Sequence, residues 1–433
     1  MYGQEKPFMT NTELRAALAA GKFDETLSAF YGVEALEYQR NRYQEAVDSF
    51  TELYGERECF IYSVPGRSEI SGNHTDHNYG KVIAAAVDLD IIAVVSKNDS
   101  RVVSVKSKGF DAIDVVEIDK LSEVKKGISS SRSLIAGMLV RLMEDGYEVG
   151  GFDAYTTSDV IRGSGLSSSA AFEVLIGTLL SGLYNDGSLD PVYIAKASQF
   201  AENVYFGKPC GLMDQTACSV GSFIQIDFAD PANPIVNKLE FDFASCGHAL
   251  CVVDTGGSHA NLTDEYAAIP SEMKSVAAFF GKNVLREVCE KEFFASISAM
   301  RGKVSDRAIL RAIHYFAENA RVDKQSKALA DGDFEVFLKL LCESGRSSYM
   351  YNQNVFCCKD PSEQGVSLAI AVTEKVLAGR GGFRVHGGGF AGTMQAFVPY
   401  DLLDEYKSSI ENVFGAGSCK ILSVRKDGGI RII

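Results

Sequence analysis

Apolar positions recur at helical spacing near the start of the chain. Thr10, Asn11 and Thr12 offer caps before Leu14, Ala17 and Leu18. Tyr43, Ala46, Val47, Phe50, Leu53 and Tyr54 then repeat on one face, so residues 10–55 are predicted to be helical. The pattern changes at residues 59–64, a strand-like apolar run closed by Pro65-Gly66. Residues 91–96 and 152–157 give two more strands. Residues 172–180 are too apolar to face water on any side and read as a buried helix. A further helix is predicted over 194–205, ending in Phe206-Gly207-Lys208-Pro209. Beyond it come a strand at 249–253, helices at 305–321 and 364–378, and strands at 383–385, 394–398 and 420–424. Strands and helices mix in both halves without a strict βαβ repeat, which predicts a mixed α/β (α+β) fold.

A chain of 433 residues with 46% hydrophobic content is expected to form two domains with sizeable cores. The run Asp-Phe-Ala-Asp-Pro-Ala-Asn-Pro at 227–234 fits a domain boundary or a hairpin loop. A formal net charge of −14 argues against a nucleic-acid backbone or an anionic membrane as partner, but a local loop can still bind a phosphorylated ligand. The ten cysteines include no CxxC pair and mostly sit in apolar runs, which fits free thiols in a reducing cytosol. No signal peptide and no membrane span are expected from the apolar runs.

The chemistry is concentrated in a few stretches. In Val160-Ile161-Arg162-Gly163-Ser164-Gly165-Leu166-Ser167-Ser168-Ser169 a glycine-serine turn opens the buried helix. Unpaired N–H groups and the positive end of the helix dipole suit a phosphate there, and an ordinary helix cap fits as well. The stretch is not a Walker A loop, because no Gly-Lys-Ser/Thr follows. Residues 65–80 carry Arg67, Asn73, His74, Asp76, His77 and Asn78 between apolar runs. This donor and acceptor set suits sugar hydroxyls or a solvated loop, and His74 and His77 lack an evident third metal ligand. In Gly207-Lys208-Pro209-Cys210-Gly211-Leu212-Met213-Asp214-Gln215 a single carboxylate stands among small and apolar residues, placed as a general base or a helix cap. Glu202 on the preceding helix is a second acid within reach of that place. Four glycines in the six residues 387–392 form a hairpin turn or allow close approach to a ligand.

Taken in order, these stretches resemble the signature motifs of the GHMP small-molecule kinases, and within them the galactokinases. Pro65-Gly66-Arg67 followed by Gly72-Asn73-His74-Thr75-Asp76-His77-Asn78 is similar to the galactokinase signature. Residues 165–170 match the Gly-Leu-Ser-Ser-Ser-Ala phosphate loop, and 387–392 resemble Gly-Gly-Gly-Phe-Gly-Gly with Ala391 in place of a glycine. Cys210–Gln215 is similar to the segment around the family's catalytic aspartate, and residues 311–314 and 318–322 resemble a further galactokinase segment. The likeness runs from about residue 40 to the C-terminus.

With the apolar repeat giving a helical lead at 1–58, the resemblance implies an N-terminal kinase domain at 59–232 and a C-terminal one at 233–433, with the active site in the cleft between the two domains. It implies transfer of the ATP γ-phosphoryl group to the anomeric hydroxyl of a hexose. Asp214 would take the hydroxyl proton, and Arg67 would keep Asp214 ionised and offset transition-state charge. Gly163, Ser164, Gly165, Leu166, Ser167, Ser168 and Ser169 would cradle the phosphates, with Gly387, Gly388 and Gly389 lining the cleft. Ser169 and Glu202 would hold Mg²⁺. Asn73, His74, Asp76, Gly211 and Tyr266 would meet the sugar. Asn73 replaces a family glutamate that faces the far end of the sugar, so another aldose or a uronic acid is the alternative substrate. Thr263–Pro270 keeps the family tyrosine as Tyr266 but lacks its arginines. A sugar- and ATP-binding sensor without catalysis is the alternative from another class.

Overall fold

The chain changes from helix to strand where its apolar repeat changes period, at residue 58. A computed structural model describes residues 9–160, 166–257 and 262–433. The chain divides into two units. The first holds the residues up to Arg67, Ala86–Gly221 and Arg425–Ile433; the second holds Ser68–Ala85 and Ser222–Val424. The strands Glu58–Ser71 and Lys81–Asn98 each begin in one unit and end in the other. The boundaries expected at 58/59 and 232/233 divide the chain into consecutive segments and stand as a proposal about its domains.

In the first unit a sheet is covered on both faces. Tyr62, Val64, Ile91, Ala93 and Val95 pack against the helices Ser131–Glu144, Ser168–Tyr184 and Pro191–Phe200. Ile61, Ile92, Val94 and Tyr155 face the helices Asn11–Ala19, Asp24–Tyr31 and Leu36–Tyr54. Successive strand residues point to opposite faces, so a strand buried on both sides is apolar without alternation. That explains the unbroken run at 91–96. The predicted helical segment 10–55 is three helices, interrupted by Gly21 at φ 71° and Gly32 at φ 83°, a backbone region that glycine enters without strain. Arg42, on the third helix, pairs with Asp90 at 2.7 Å, and Arg425 pairs with the same carboxylate at 3.2 Å. Tyr31 and Ser63 also donate to it.

The strand predicted to close at Pro65-Gly66 instead runs on to Ser71. Gly66 is no turn residue: a Cβ there would stand 2.9 Å from the Leu166 carbonyl oxygen, so the glycine permits close approach. The polar residues that follow are buried with partners of their own, described below.

In the second unit an antiparallel sheet runs in the order Gly382–Val385, Thr393–Pro399, His248–Asp254, Cys419–Leu422. The helices Gly365–Leu377 and Leu403–Phe414 cover it. A second core joins Thr263–Phe279 to the long helix Asp306–Ala330. The polar run at 227–234 is the turn of a hairpin, because Phe223–Asp227 and Ile235–Leu239 pair with Asp227 opposite Ile235.

Candidate active site

Residues 161–165, with Gly163, Ser164 and Gly165 among them, lie outside the described residues; Val160 and 166–169 belong to the first unit. Ser168 begins the helix Ser168–Tyr184, and Ser167 precedes it at φ 58°, an unusual region for a residue with a side chain. That conformation leaves the Ser167 hydroxyl donating to Asp214 rather than capping the helix. Asp214 stands in the first turn of the helix Met213–Val220, and Arg67 Nε and Nη2 donate to its two oxygens at 2.8 and 2.7 Å. Such a two-pronged contact fixes both groups. Burial alone would raise the Asp214 carboxyl. The Arg67 charge and bonds, Ser167 and Lys208 outweigh it and hold the group below the usual carboxylate range. Asp214 is therefore ionised at neutral pH, with 33% of its side chain exposed. Leu166 is buried and its carbonyl accepts the Arg67 N–H at 3.2 Å. Gly211, half-buried, lies in the turn before the Asp214 helix.

The helix Pro191–Phe200 widens into a π-helical turn at Ala201–Phe206, a local geometry often found at functional sites. It carries Glu202, which is 2% exposed. Ser169 Oγ donates to Glu202 Oε1 at 3.4 Å, Lys208 Nζ contacts the same oxygen at 3.1 Å, and Gln215 Nε2 donates to Oε2 at 2.8 Å. A hydroxyl and a carboxylate thus converge, with an ammonium already drawn to them. This all-oxygen donor set suits a hard cation.

In the second unit the polar stretch that follows Ser71 is held on one side by a long helix. On Asp306–Ala330, His314 Nε2 bonds the Asn73 carbonyl at 2.9 Å and Tyr315 donates to the Asn78 carbonyl at 3.0 Å. Glu318 Oε1 accepts from Ser71 Oγ at 3.2 Å and from the Gly72 N–H at 3.1 Å, and Asn319 accepts the Lys81 N–H at 2.7 Å. Residues three to four apart share a helix face, so one stripe grips the whole loop. Burial alone would raise the Glu318 carboxyl; the His314, Arg321 and Arg384 charges and the Ser344 hydroxyl bring it down to about 2.

His74 sits at φ 59° with Nε2 2.8 Å from the Gly388 carbonyl. A carbonyl only accepts, so the proton is on Nε2 and Nδ1 is an acceptor. Burial, followed by the neighbouring histidines, brings the His74 pKa down to about 4, against the pull of the Gly388 carbonyl and Asp76. Asn73 is at 0% exposure. Its Nδ2 donates to Glu69 Oε1 at 3.0 Å and the Gly387 carbonyl at 2.8 Å. Its Oδ1 accepts from Ser348 at 3.2 Å and Asn354 at 2.8 Å. Two donors and two lone pairs are the full capacity of an amide, so none is left over. Glu69 in turn pairs with buried Arg384 at 3.1 Å. Asp76 keeps 21% of its side chain exposed. Tyr266 donates to the Gly389 carbonyl at 2.8 Å and packs edge-on against Phe390. Gly387 and Gly389 have positive φ, and a Cβ on Gly388 would stand 2.5 Å from the Tyr266 ring. The glycine run is a hairpin turn, as one of the two expectations had it, and its glycines also permit these close approaches.

The structure thus brings Arg67, Asp214 and Ser167 together, Ser169 with Glu202, and Asn73, His74 and Tyr266 with Gly387, Gly388 and Gly389. Sequence reasoning missed Glu69, Gln215, Ser348 and Asn354 as partners. It noted the 311–322 segment without finding its work, although Arg311, His314, Glu318 and Gln325 at helical spacing line one polar stripe of a helix whose other face is apolar.

Comparison with known proteins follows the same motifs. A model of the galactokinase galactose-binding signature matches residues 48–97, and a model of the GHMP kinase N-terminal domain matches residues 133–222. The galactokinase of Streptomyces coelicolor is 32% identical over 377 residues, 86% of this chain and 93% of that one. The galactokinase of Clostridium tetani is 29% identical over 378 residues, covering 85% and 91%. The crystal structure of Lactococcus lactis galactokinase complexed with galactose aligns with a TM-score of 0.73 at 23% identity, over 89% of this chain and 98% of that one. A mevalonate kinase structure aligns with a TM-score of 0.58 at 14% identity, over 85% and 99%. At these identities the structural likeness shows the fold, that of the GHMP kinases.

Proposed function

Because the chain belongs to the galactokinase family, we propose that it moves the γ-phosphoryl group of ATP onto the anomeric hydroxyl of galactose. The reaction class is phosphotransfer to an alcohol group. The observation that carries the residue roles is the ionised Asp214, gripped by Arg67 and touched by Ser167. An ionised carboxylate can accept the hydroxyl proton, and the guanidinium beside it offsets negative charge as the phosphoryl group moves. Ser167 Oγ, on the phosphate-loop side, ties that loop to the base. Leu166, Ser168 and Ser169, with Gly163, Ser164 and Gly165, form the proposed phosphate cradle. Ser169 and Glu202 are the proposed Mg²⁺ ligands. When bound, Mg²⁺ would supply positive charge to the phosphate oxygens. On the sugar side, His74 Nδ1 and Asp76 are proposed to accept hydroxyl hydrogens, and Gly211 and Tyr266 are each proposed as sugar contacts. Asn73, with its amide already engaged, is proposed to shape the loop from inside. Free thiols among all ten cysteines support a reducing compartment, the cytoplasm. No helix among the described residues is long and apolar enough to cross a membrane.

The test is an ADP-release assay over a panel of aldoses and uronic acids. Galactose should give the highest kcat/KM, and a clear preference for galacturonate would replace the substrate. Asp214→Asn should lower turnover on the order of 100-fold or more while ATP binding persists. Near-normal turnover would remove Asp214 as the base. Glu202→Gln should raise the Mg²⁺ concentration needed for half-maximal rate, and an unchanged titration would take Glu202 out of the site.

A further inference from the structure

One buried carboxyl beside this site takes no part in the chemistry above. Glu173 lies one helical turn after Ser169, at 0% exposure. Its Oε2 accepts from Gln215 Nε2 at 3.3 Å, and the same nitrogen donates to Glu202 Oε2 at 2.8 Å, so the Gln215 amide stands between the two carboxyls. Gln215 is also at 0% exposure. Two oxygens of this group, Glu173 Oε1 and Gln215 Oε1, have no hydrogen-bond partner among the described residues. Unpaired buried polar atoms are uncommon enough to need an explanation.

The charges around Glu173 supply one. The titratable groups that face it are Glu202, Asp214, Lys208 and the Cys210 and Cys218 thiols. Lys208 is bonded to Glu202, and Arg67 to Asp214, so neither cation is left for Glu173. An ionised carboxylate buried there would have no counter-charge of its own and would face two other anions. Burial first, and then the Glu202 charge, push the Glu173 carboxyl well above the usual range; the Gln215 bond and Lys208 oppose this and do not prevail.

We propose that Glu173 is a positioning residue: a neutral carboxylic acid whose Oε1–H donates to Gln215 Oε1 and closes a two-bond ring with the Gln215 amide. The ring uses both orphan oxygens. It also fixes which way the amide is turned, because only one orientation presents the NH₂ group to Glu202 as well as to Glu173. Glu202 is then braced from behind, and Gln215, next in the chain after Asp214, is held in the same step. The effect on activity rests on Glu202 being the cation ligand; the ring itself does not.

The experiment uses the full chain, first free of nucleotide and magnesium. With carboxyl-labelled glutamate, NMR should show one resonance that stays in the protonated position through neutral pH and is absent from Glu173→Gln. Glutamine at 173 offers the same donor and acceptor, so this variant should keep the wild-type melting temperature and a half-saturating Mg²⁺ within about 3-fold, less than one hydrogen bond's worth. Glu173→Leu breaks the ring and should raise half-saturating Mg²⁺ about 10-fold or more, the usual effect of losing a group that orients a metal ligand. The rate at saturating Mg²⁺ should change less. Gln215→Leu, which also removes the bond to Glu202, should raise half-saturating Mg²⁺ at least as much, and the double variant should be no worse than Gln215→Leu alone, since Glu173 acts only through that amide. A Glu173 carboxyl found ionised at neutral pH overturns the proposal, as does a Glu173→Gln variant as impaired as Glu173→Leu. Should the chain prove to be no kinase, the resonance alone still decides the ring.

Discussion

Asn73 spends all four of its hydrogen-bonding positions inside its own unit, and this changes what its difference from the family glutamate means. A carboxylate there would lose both donors and stand against Glu69 Oε1 and the Gly387 carbonyl. Asn73→Glu should therefore destabilise the protein by about 1–3 kcal/mol, the cost of a buried polar group left unsatisfied, and raise the KM for sugar. Adding Glu69→Gln should recover part of the loss, because a glutamine can donate to the new carboxylate. Thermal melts of the three variants, with KM for galactose, check this; a freely tolerated single substitution would mean that Asn73 is not clamped. Three motifs each hold a non-glycine residue at positive φ: His74 at 59°, Ser167 at 58° and Phe390 at 60°. Such conformations persist where the surroundings over-determine them, and here all three residues stand in stretches with proposed roles.

The helix Asp306–Ala330 shows how one element can set a loop it does not belong to. Its grip depends on the ionised Glu318, and the loop it holds contains the neutral His74. Both groups titrate below their unfolded values, His74 at about 4 against 6.5 and Glu318 at about 2 against 4.5. The unfolded chain therefore binds more protons between each pair of values, and stability must rise with pH there. The His74 contribution is present above pH ~6.5 and is lost as pH falls toward ~4; the Glu318 contribution is lost below ~4.5. Urea denaturation at neutral and at mildly acid pH should show a loss on the order of 2–3 kcal/mol from His74, and less of a loss in His74→Gln. A pH-independent stability in the wild type over that window would contradict the burial of the imidazole.

For the whole chain, the N-terminal helices are part of the first unit's core. They cover Ile61, Ile92, Val94 and Tyr155, and Arg42 reaches Asp90 in the middle of the sheet. Asp90 also receives Arg425 from the last residues of the chain, so a single buried carboxylate joins segments far apart in sequence. Asp90→Ala would leave the buried Arg425 guanidinium without its counter-ion and Arg42 with Asp159 alone, and should cost about 3–5 kcal/mol, read from chemical denaturation. Deleting residues before Glu58 should give an insoluble product, since one apolar face of the sheet would be bare; a soluble, folded truncation would show the helices to be dispensable.

The sequence by itself determined most of the elements and the content of the motifs, because hydrophobic period and turn residues are local properties. The helix after the serines and the strands at 152–157 and 394–398 were legible in that way. It also held the family likeness, which short ordered motifs carry. Only the tertiary structure decided what lies beyond local reach. Pro65-Gly66 reads as a strand end, yet the strand continues, because the buried polar residues after it find partners distant in the chain, such as Asp214 for Arg67 and Arg384 for Glu69. Asn73 reads as a sugar contact, yet its partners at Gly387, Ser348 and Asn354 lie some 275 to 314 residues away, and no window of sequence contains them. The orphan oxygens of Glu173 and Gln215 were equally invisible, because an unpaired atom is defined only once everything that could have paired with it is in place.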